Sequence, residues 1–373
     1  MLRRRDLLGL GAWSAAAGLL LRARADEDGL LQAVATPQDL ETPLGFFDRL
    51  ITPTSVFFVR SHFGPPSLDL GRRLTIDGMV GKPLELGLAD LEKLPQVTLT
   101  AVLQCAGNGR ALHEPRVPGV QWRHGAMGQA TWTGVRLKDL LDKVGVAPDA
   151  RHVRLAGADR APKPTVPKYL RSIPLARALD PTTLVALRMN GEPLTLAHGA
   201  PFRLVVPGWA GDHWIKWLTH LRLQKDEAEG FFMNTAYKLP KTPVAPGAAV
   251  PPEQMQSLST IPIKSIIARP ADGASSKAGA QEIVGVAFSG EAAIDKVEVR
   301  VNDGPFVAAK LEGPSVPFAW RVFRHRFEAK PGKHTAVARA IDVKGVMQPE
   351  TAVWNPSGYF WNAWHRVQWE VVA

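Results

Sequence analysis

Residues 240–262 read PKTPVAPGAAVPPEQMQSLSTIP, with six prolines in one segment. Proline lacks a backbone N–H and fixes φ, so neither a helix nor a central strand runs through such a stretch. The chain therefore divides into two units of different texture. Before the segment, short helices and strands mix. After it, Val297, Val299 and Val301 alternate up to Asn302-Asp303-Gly304, a hairpin turn, and HTAVARAIDVKG alternates again. About 110 residues of that pattern predict an immunoglobulin-like β-sandwich. The expected fold class is α+β: a mixed α/β domain at residues 26–245, then a sandwich at residues 246–373. A length of 373 residues suits two domains.

Within the first unit, VFFVR (56–60) predicts a short strand broken by SHFGPP, and LTIDGMVGKPLEL a strand–turn–strand about Asp77-Gly78. GLADLEKLPQ predicts a helix of one to two turns. VTLTAVLQ is a strand that delivers Cys105 to a loop. TGVRLKDLLDKVGV (133–146) predicts an amphipathic helix closed by Gly145. HVRLAGAD is a strand carrying Asp159, and SIPLARALDP is helical up to Asp180-Pro181. Two strands flank the Gly-Trp loop of PFRLVVPGWAGDHWIKWLTHLRLQ. Residues 26–50 read as a surface lead-in.

The first 25 residues open with Arg3, Arg4 and Arg5, continue through an apolar run from Leu7 to Leu21, and end in Ala23-Arg24-Ala25. That order describes a cleaved export signal of the twin-arginine type. The run is short for a membrane span. The expected location is the periplasm, with no span after cleavage. The whole chain carries +10; the leader holds five Arg and one Asp, which leaves +6. A surface of that charge favours an anionic substrate or an acidic partner protein, and no nucleic acid is expected.

Cys105 is the chain's one cysteine, so an internal disulfide is excluded. It enters the loop of AVLQCAGNGR, with Gly107, Gly109 and Arg110 following. A thiol near arginines is expected to ionise readily. Such a thiolate attacks as a nucleophile, oxidises reversibly, or ligates a soft or high-valent metal. The first two roles have no local partner signature. The absence of C-x-x-C excludes a thioredoxin-like centre, a four-cysteine metal site and c-type haem attachment. No H-E-x-x-H supports a zinc site. An exported binding module with an incidental thiol stays open.

Seven stretches run together in order: FFVRSHFGPP, LQCAGNGR, GVQWRHGAMGQATWTGVRLKDLL, SIPLARALDP, MNGEPLTLAHGAPFRLVVPG, GDHWIKWL and VWNPSGYFWNAWHRV. On these the chain resembles the sulfite oxidase family of molybdenum enzymes. The resemblance implies that residues 26–245 form a molybdopterin-binding domain and that the sandwich is a dimerisation domain of a homodimer. It implies Cys105 as the single protein ligand to molybdenum. The buried molybdenum–molybdopterin cofactor would be contacted by Ser61, His62, Asp159, His198, Arg203, Trp214, Ile215 and Lys216. Arg60 and Arg110 would line the metal pocket, and Tyr237 is the implied active-site tyrosine. The implied reaction is oxygen-atom transfer that turns sulfite into sulfate. With no haem expected in this chain, a separate cytochrome c would take the electrons. At Ser357 the sequence departs from the vertebrate and plant enzymes, which carry an arginine there. WNPSGY is closer to bacterial members, including the molybdenum subunit of sulfane dehydrogenase. That enzyme and a reductive molybdenum enzyme are the alternatives.

Overall fold

The computed structural model describes residues 30–34 and 37–373. The export signal read in residues 1–25 lies outside the described residues.

Two five-stranded sheets build the first unit. In one, Val97–Gln104 pairs with Met127–Arg136, which pairs with Leu184–Met189; Arg203–Val205 and Glu192–Pro193 add to the last strand. Every pair in it is antiparallel. The other runs Leu84–Leu86, Leu74–Gly78, Leu218–Gln224, His152–Gly157, Leu170–Pro174, with one parallel pair between Leu218–Gln224 and Leu74–Gly78. The helix Leu137–Val144 buries Leu137, Leu140, Leu141 and Val144, spaced to fall on one face, and Gly145 at φ 65° ends it. These residues pack with Trp132, Leu155, Ile173 and Leu221 in one continuous core.

The second unit is a sandwich. A four-stranded sheet, Lys264–Arg269, Gly279–Phe288, Arg321–Ala329 and Lys310–Glu312, faces a five-stranded one. The latter runs Ser275–Lys277, His365–Val372, Gly332–Asp342, Ile294–Val301, Val307–Ala308. Its strand His365–Val372 alternates strictly, with Val367, Trp369 and Val371 inward. A third apolar cluster, including Val102, Met127, Tyr237, Phe288, Trp320 and Tyr359, joins the two units. The amide of Val102 donates to Phe318 O at 2.8 Å across that junction.

Four sequence expectations are corrected. VFFVR is not a strand: Thr54–Val56 is a 3-10 turn entered from Pro53, and a single bridge ties Leu40 to Val59. The Phe58 amide instead donates to Thr42 Oγ1 at 3.0 Å. The helix expected over 133–146 begins at Leu137, because Thr133 and Val135 belong to a paired strand that suits β-branched residues. SIPLARALDP opens as the end of the strand Leu170–Pro174, and only Leu175–Ala178 is helical. Residues 26–50 are not a surface lead-in throughout: Asp39, Leu40 and Glu41 are buried.

Candidate active site

Cys105 sits one residue past the strand Val97–Gln104, where its amide donates to Ala126 O at 2.9 Å. The chain turns at once: the Asn108 amide donates to Cys105 O, and the Arg110 amide to Gly107 O. A Cβ on Gly107 or Gly119 would lie 2.7 or 2.9 Å from the Arg110 guanidinium, so these glycines let the backbone close around that side chain. Arg110 donates from Nε to Ser357 O and from Nη1 to Val120 O, both at 2.9 Å, and lies 5.2 Å over the Tyr359 ring.

Arg60 reaches the same cysteine from another loop. Its Nη1 pairs with the buried Asp39 carboxylate at 3.2 Å and donates to the Ser61 carbonyl. Tyr237 has φ 57°, a left-handed conformation that few side chains adopt without strain. Its hydroxyl hydrogen-bonds His62 Nε2 at 2.9 Å, and its ring stacks on Tyr359 at 5.5 Å. His62 in turn stacks on Tyr169 at 4.5 Å.

Two cavities meet at Cys105. The inner one is lined by Ser61, His62, Asp159, His198, Arg203, Trp214, Ile215 and Lys216, all the residues expected at the cofactor. The second, of about 390 Å³, is lined by Arg110, Trp122, Phe232 and Ser357 and opens past exposed Phe231 and Thr235. Arg60, His62, Cys105 and Tyr237 line both. Arg110 is absent from the inner cavity, so it separates from the other expected residues and faces the outer one.

The inner cavity is polar but incompletely paired. Ser61 Oγ, His198 Nε2 and Arg203 Nε are buried without a hydrogen-bond partner. Such groups cost free energy unless a ligand satisfies them. His198 is fixed by Thr195 Oγ1 at 2.8 Å on Nδ1, and burial takes its pKa down to about 3, so the imidazole is neutral. Arg203 donates to His198 O and Trp214 O, and burial lowers it to about 9. Burial pushes Asp159 up and Lys216 down, each opposed by the other's charge. Lys216 Nζ donates to Ala197 O at 3.0 Å.

The readily ionised thiol expected at Cys105 is a further correction. Burial raises its pKa and outweighs the pull of Arg60 and Arg110. A thiol of that kind gives up its proton to a metal rather than to water.

Sequence reasoning missed Asp39, Tyr169, Arg171 and Asp212. Asp39 had no signal, being placed by a contact 21 residues away. Arg171 and Asp212 form a buried ion pair at 2.7 Å, and Arg171 lies 5.2 Å over the Tyr237 ring. The charges within the GDHW stretch, in an otherwise apolar run, were the available sign of it.

Residues 62–232 match the family model of the oxidoreductase molybdopterin binding domain, and residues 255–372 that of the Mo-co oxidoreductase dimerisation domain. Sulfite oxidase of Arabidopsis thaliana is 32% identical, over 85% of this chain and 87% of that protein. The chain belongs to the sulfite oxidase family. Mitochondrial sulfite oxidase of Mus musculus is 38% identical over 86% of this chain; the match spans 62% of the mouse protein's length. Among solved structures, the sulfane dehydrogenase SoxCD from Paracoccus pantotrophus superposes with a TM-score of 0.80 at 27% identity, covering 91% of this chain and 87% of that one. This member of the sulfite oxidase family fits the molybdopterin cofactor that its family binds. The inner cavity supplies one soft donor, Cys105, and unpaired polar atoms suited to a long, polar, phosphorylated ligand.

Proposed function

We propose that the protein oxidises sulfite to sulfate and passes the electrons singly to a separate c-type cytochrome. The observation that carries this is Cys105 standing between a cavity of unpaired polar atoms and a cavity flanked by two guanidiniums. In this reading Ser61, His62, Asp159, His198, Arg203, Trp214, Ile215 and Lys216 hold the cofactor, and Cys105 is its protein ligand. When bound, the molybdenum cofactor supplies the oxygen atom and accepts two electrons. Arg60 and Arg110 draw the anion in and orient it by charge-assisted hydrogen bonds. Tyr237 Oη holds a proton beside the reacting oxyanion, with His62 Nε2 at 2.9 Å as its relay partner. Apolar Trp122 and Phe232 keep water from the anion.

In the same reading residues 1–25 export the folded protein to the periplasm, residues 26–245 form the catalytic domain, and residues 246–373 join two copies as a homodimer. The test is metal analysis together with sulfite-dependent reduction of cytochrome c by one purified sample. Molybdenum near one atom per chain with sulfite turnover supports the proposal; a molybdenum-loaded protein inert to sulfite overturns it.

The likeness to SoxCD favours a second reading, a sulfane dehydrogenase molybdenum subunit. A cytochrome subunit that copurifies at fixed ratio, with turnover of a sulfane substrate in place of sulfite, would establish it.

A further inference from the structure

The outer cavity is larger and more apolar than a bare sulfite ion requires. Its volume is about 390 Å³, and Val120, Phe231, Phe232 and Tyr359 form part of its wall. Trp122, Phe232 and Tyr359 are buried, while Phe231 is 46% exposed at the mouth. Phe231 stands edge-on to Phe232 with centroids 5.1 Å apart. Phe231, backed by the edges of Phe232 and Tyr359, offers a surface for an organic group rather than for water.

The charge balance of the cavity points the same way. The Arg60 guanidinium is paired with the Asp39 carboxylate. Arg110 is held by the carbonyls of Ser357 and Val120 and by the Tyr359 ring, with no carboxylate partner among the described residues. Burial keeps His62 neutral. A guanidinium without a carboxylate partner, at the base of an aromatic cleft, suits an anion that also carries an apolar substituent.

We propose that the outer cavity admits organic sulfinates, R–SO2⁻ with an aromatic or branched R group, as substrates of the same oxygen transfer. This rests on the oxidative reading given under Proposed function. A sulfinate keeps the sulfur lone pair that sulfite has. Overall, R–SO2⁻ and water give R–SO3⁻, two protons and two electrons. One S–O bond forms, two O–H bonds of water break, and sulfur is oxidised. Two equivalents of a one-electron acceptor, a ferric c-type cytochrome or ferricyanide, are reduced. The sulfinate oxygens face Arg110 and Arg60, and R lies against Phe231 and the exposed edge of Phe232.

The test is made on the molybdenum-loaded protein. Calorimetry compares benzenesulfonate and methanesulfonate, product-type anions that bind without turning over. Burial of the ring predicts at least about tenfold tighter binding of benzenesulfonate. Phe231→Ala, at the exposed rim, should cut that advantage about threefold. Equal affinities, or an advantage indifferent to Phe231→Ala, overturn the proposal. In the same sample, ferricyanide reduction is followed with benzenesulfinate and with sulfite. Turnover of both supports the proposal. Turnover of sulfite alone overturns it and leaves the sulfite reading standing. Turnover of neither defeats the oxidative reading and this proposal with it, and the sulfonate affinities then show only whether the cleft selects organic anions.

Discussion

At Cys105 burial and charge oppose one another: burial holds the proton on sulfur, while Arg60 and Arg110 favour its loss. A metal ion tips that balance where water does not. Cys105→Ser substitutes a harder, less acidic donor, and we expect turnover to fall to background with a large loss of bound molybdenum, read by elemental analysis. Wild-type turnover in that variant would remove Cys105 from the metal. Gly107→Ala places a methyl against the Arg110 guanidinium, which is pinned between two carbonyls and has little room to yield. Displacing this cation should raise KM for sulfite by about tenfold with a smaller effect on kcat, in steady-state assays. Arg110 and Gly107 were legible because they follow the cysteine directly; Gly119, against the same guanidinium, was not. Asp39 was not: a lone aspartate in a mixed stretch acquires meaning only when the fold brings it 3.2 Å from Arg60.

Among the elements, legibility followed burial pattern. The strand Val97–Gln104 and the hairpin about Asn302-Asp303-Gly304 were readable from alternation and turn residues. Met127–Arg136 was hidden because both of its faces are largely covered, which erases the period of two. Thr133 and Val135 fit either pattern, so the helix expected from residue 133 starts four residues later, at Leu137. Leu140 lies fully buried on that helix, between the helix and the sheet core. Leu140→Ala should cost about 2–5 kcal/mol, seen in urea unfolding as a lower midpoint with an unchanged slope. A loss under about 1 kcal/mol would mean the site collapses to fill the gap.

For the whole molecule, the proline segment announced two units, yet nothing announced how tightly they lock. Buried Glu41 from the first unit, half-buried His124 from its middle, and buried Lys264 and His365 from the sandwich meet in one cluster. The His124 and His365 rings are 4.3 Å apart. His365 Nδ1 accepts the Ile267 amide proton at 2.9 Å. Burial, with Lys264 adding to it and Asp272 opposing, brings the His365 pKa down to about 4. Between pH about 6.5 and 4 the unfolded chain therefore binds a proton at His365 that the folded chain refuses. Stability contributed by the neutral imidazole is present above that range and is lost as pH falls through it. Urea titrations at pH 7 and 4.5 should show the decline, on the order of 2 kcal/mol from this one group. His365→Gln should flatten it; a slope unchanged by that substitution would assign the effect elsewhere.

The residues that brace the cysteine loop come from far along the chain. The Phe360 amide donates to Ala106 O, the Trp361 side chain lies against Gly109, and Arg110 is held by Ser357 O, 247 residues downstream. During synthesis the thiol thus leaves the ribosome well before its brace exists. A chain cut short before residue 357 would keep the thiol and the residues lining the inner cavity but lose Ser357 O and the Phe360 amide that brace the loop.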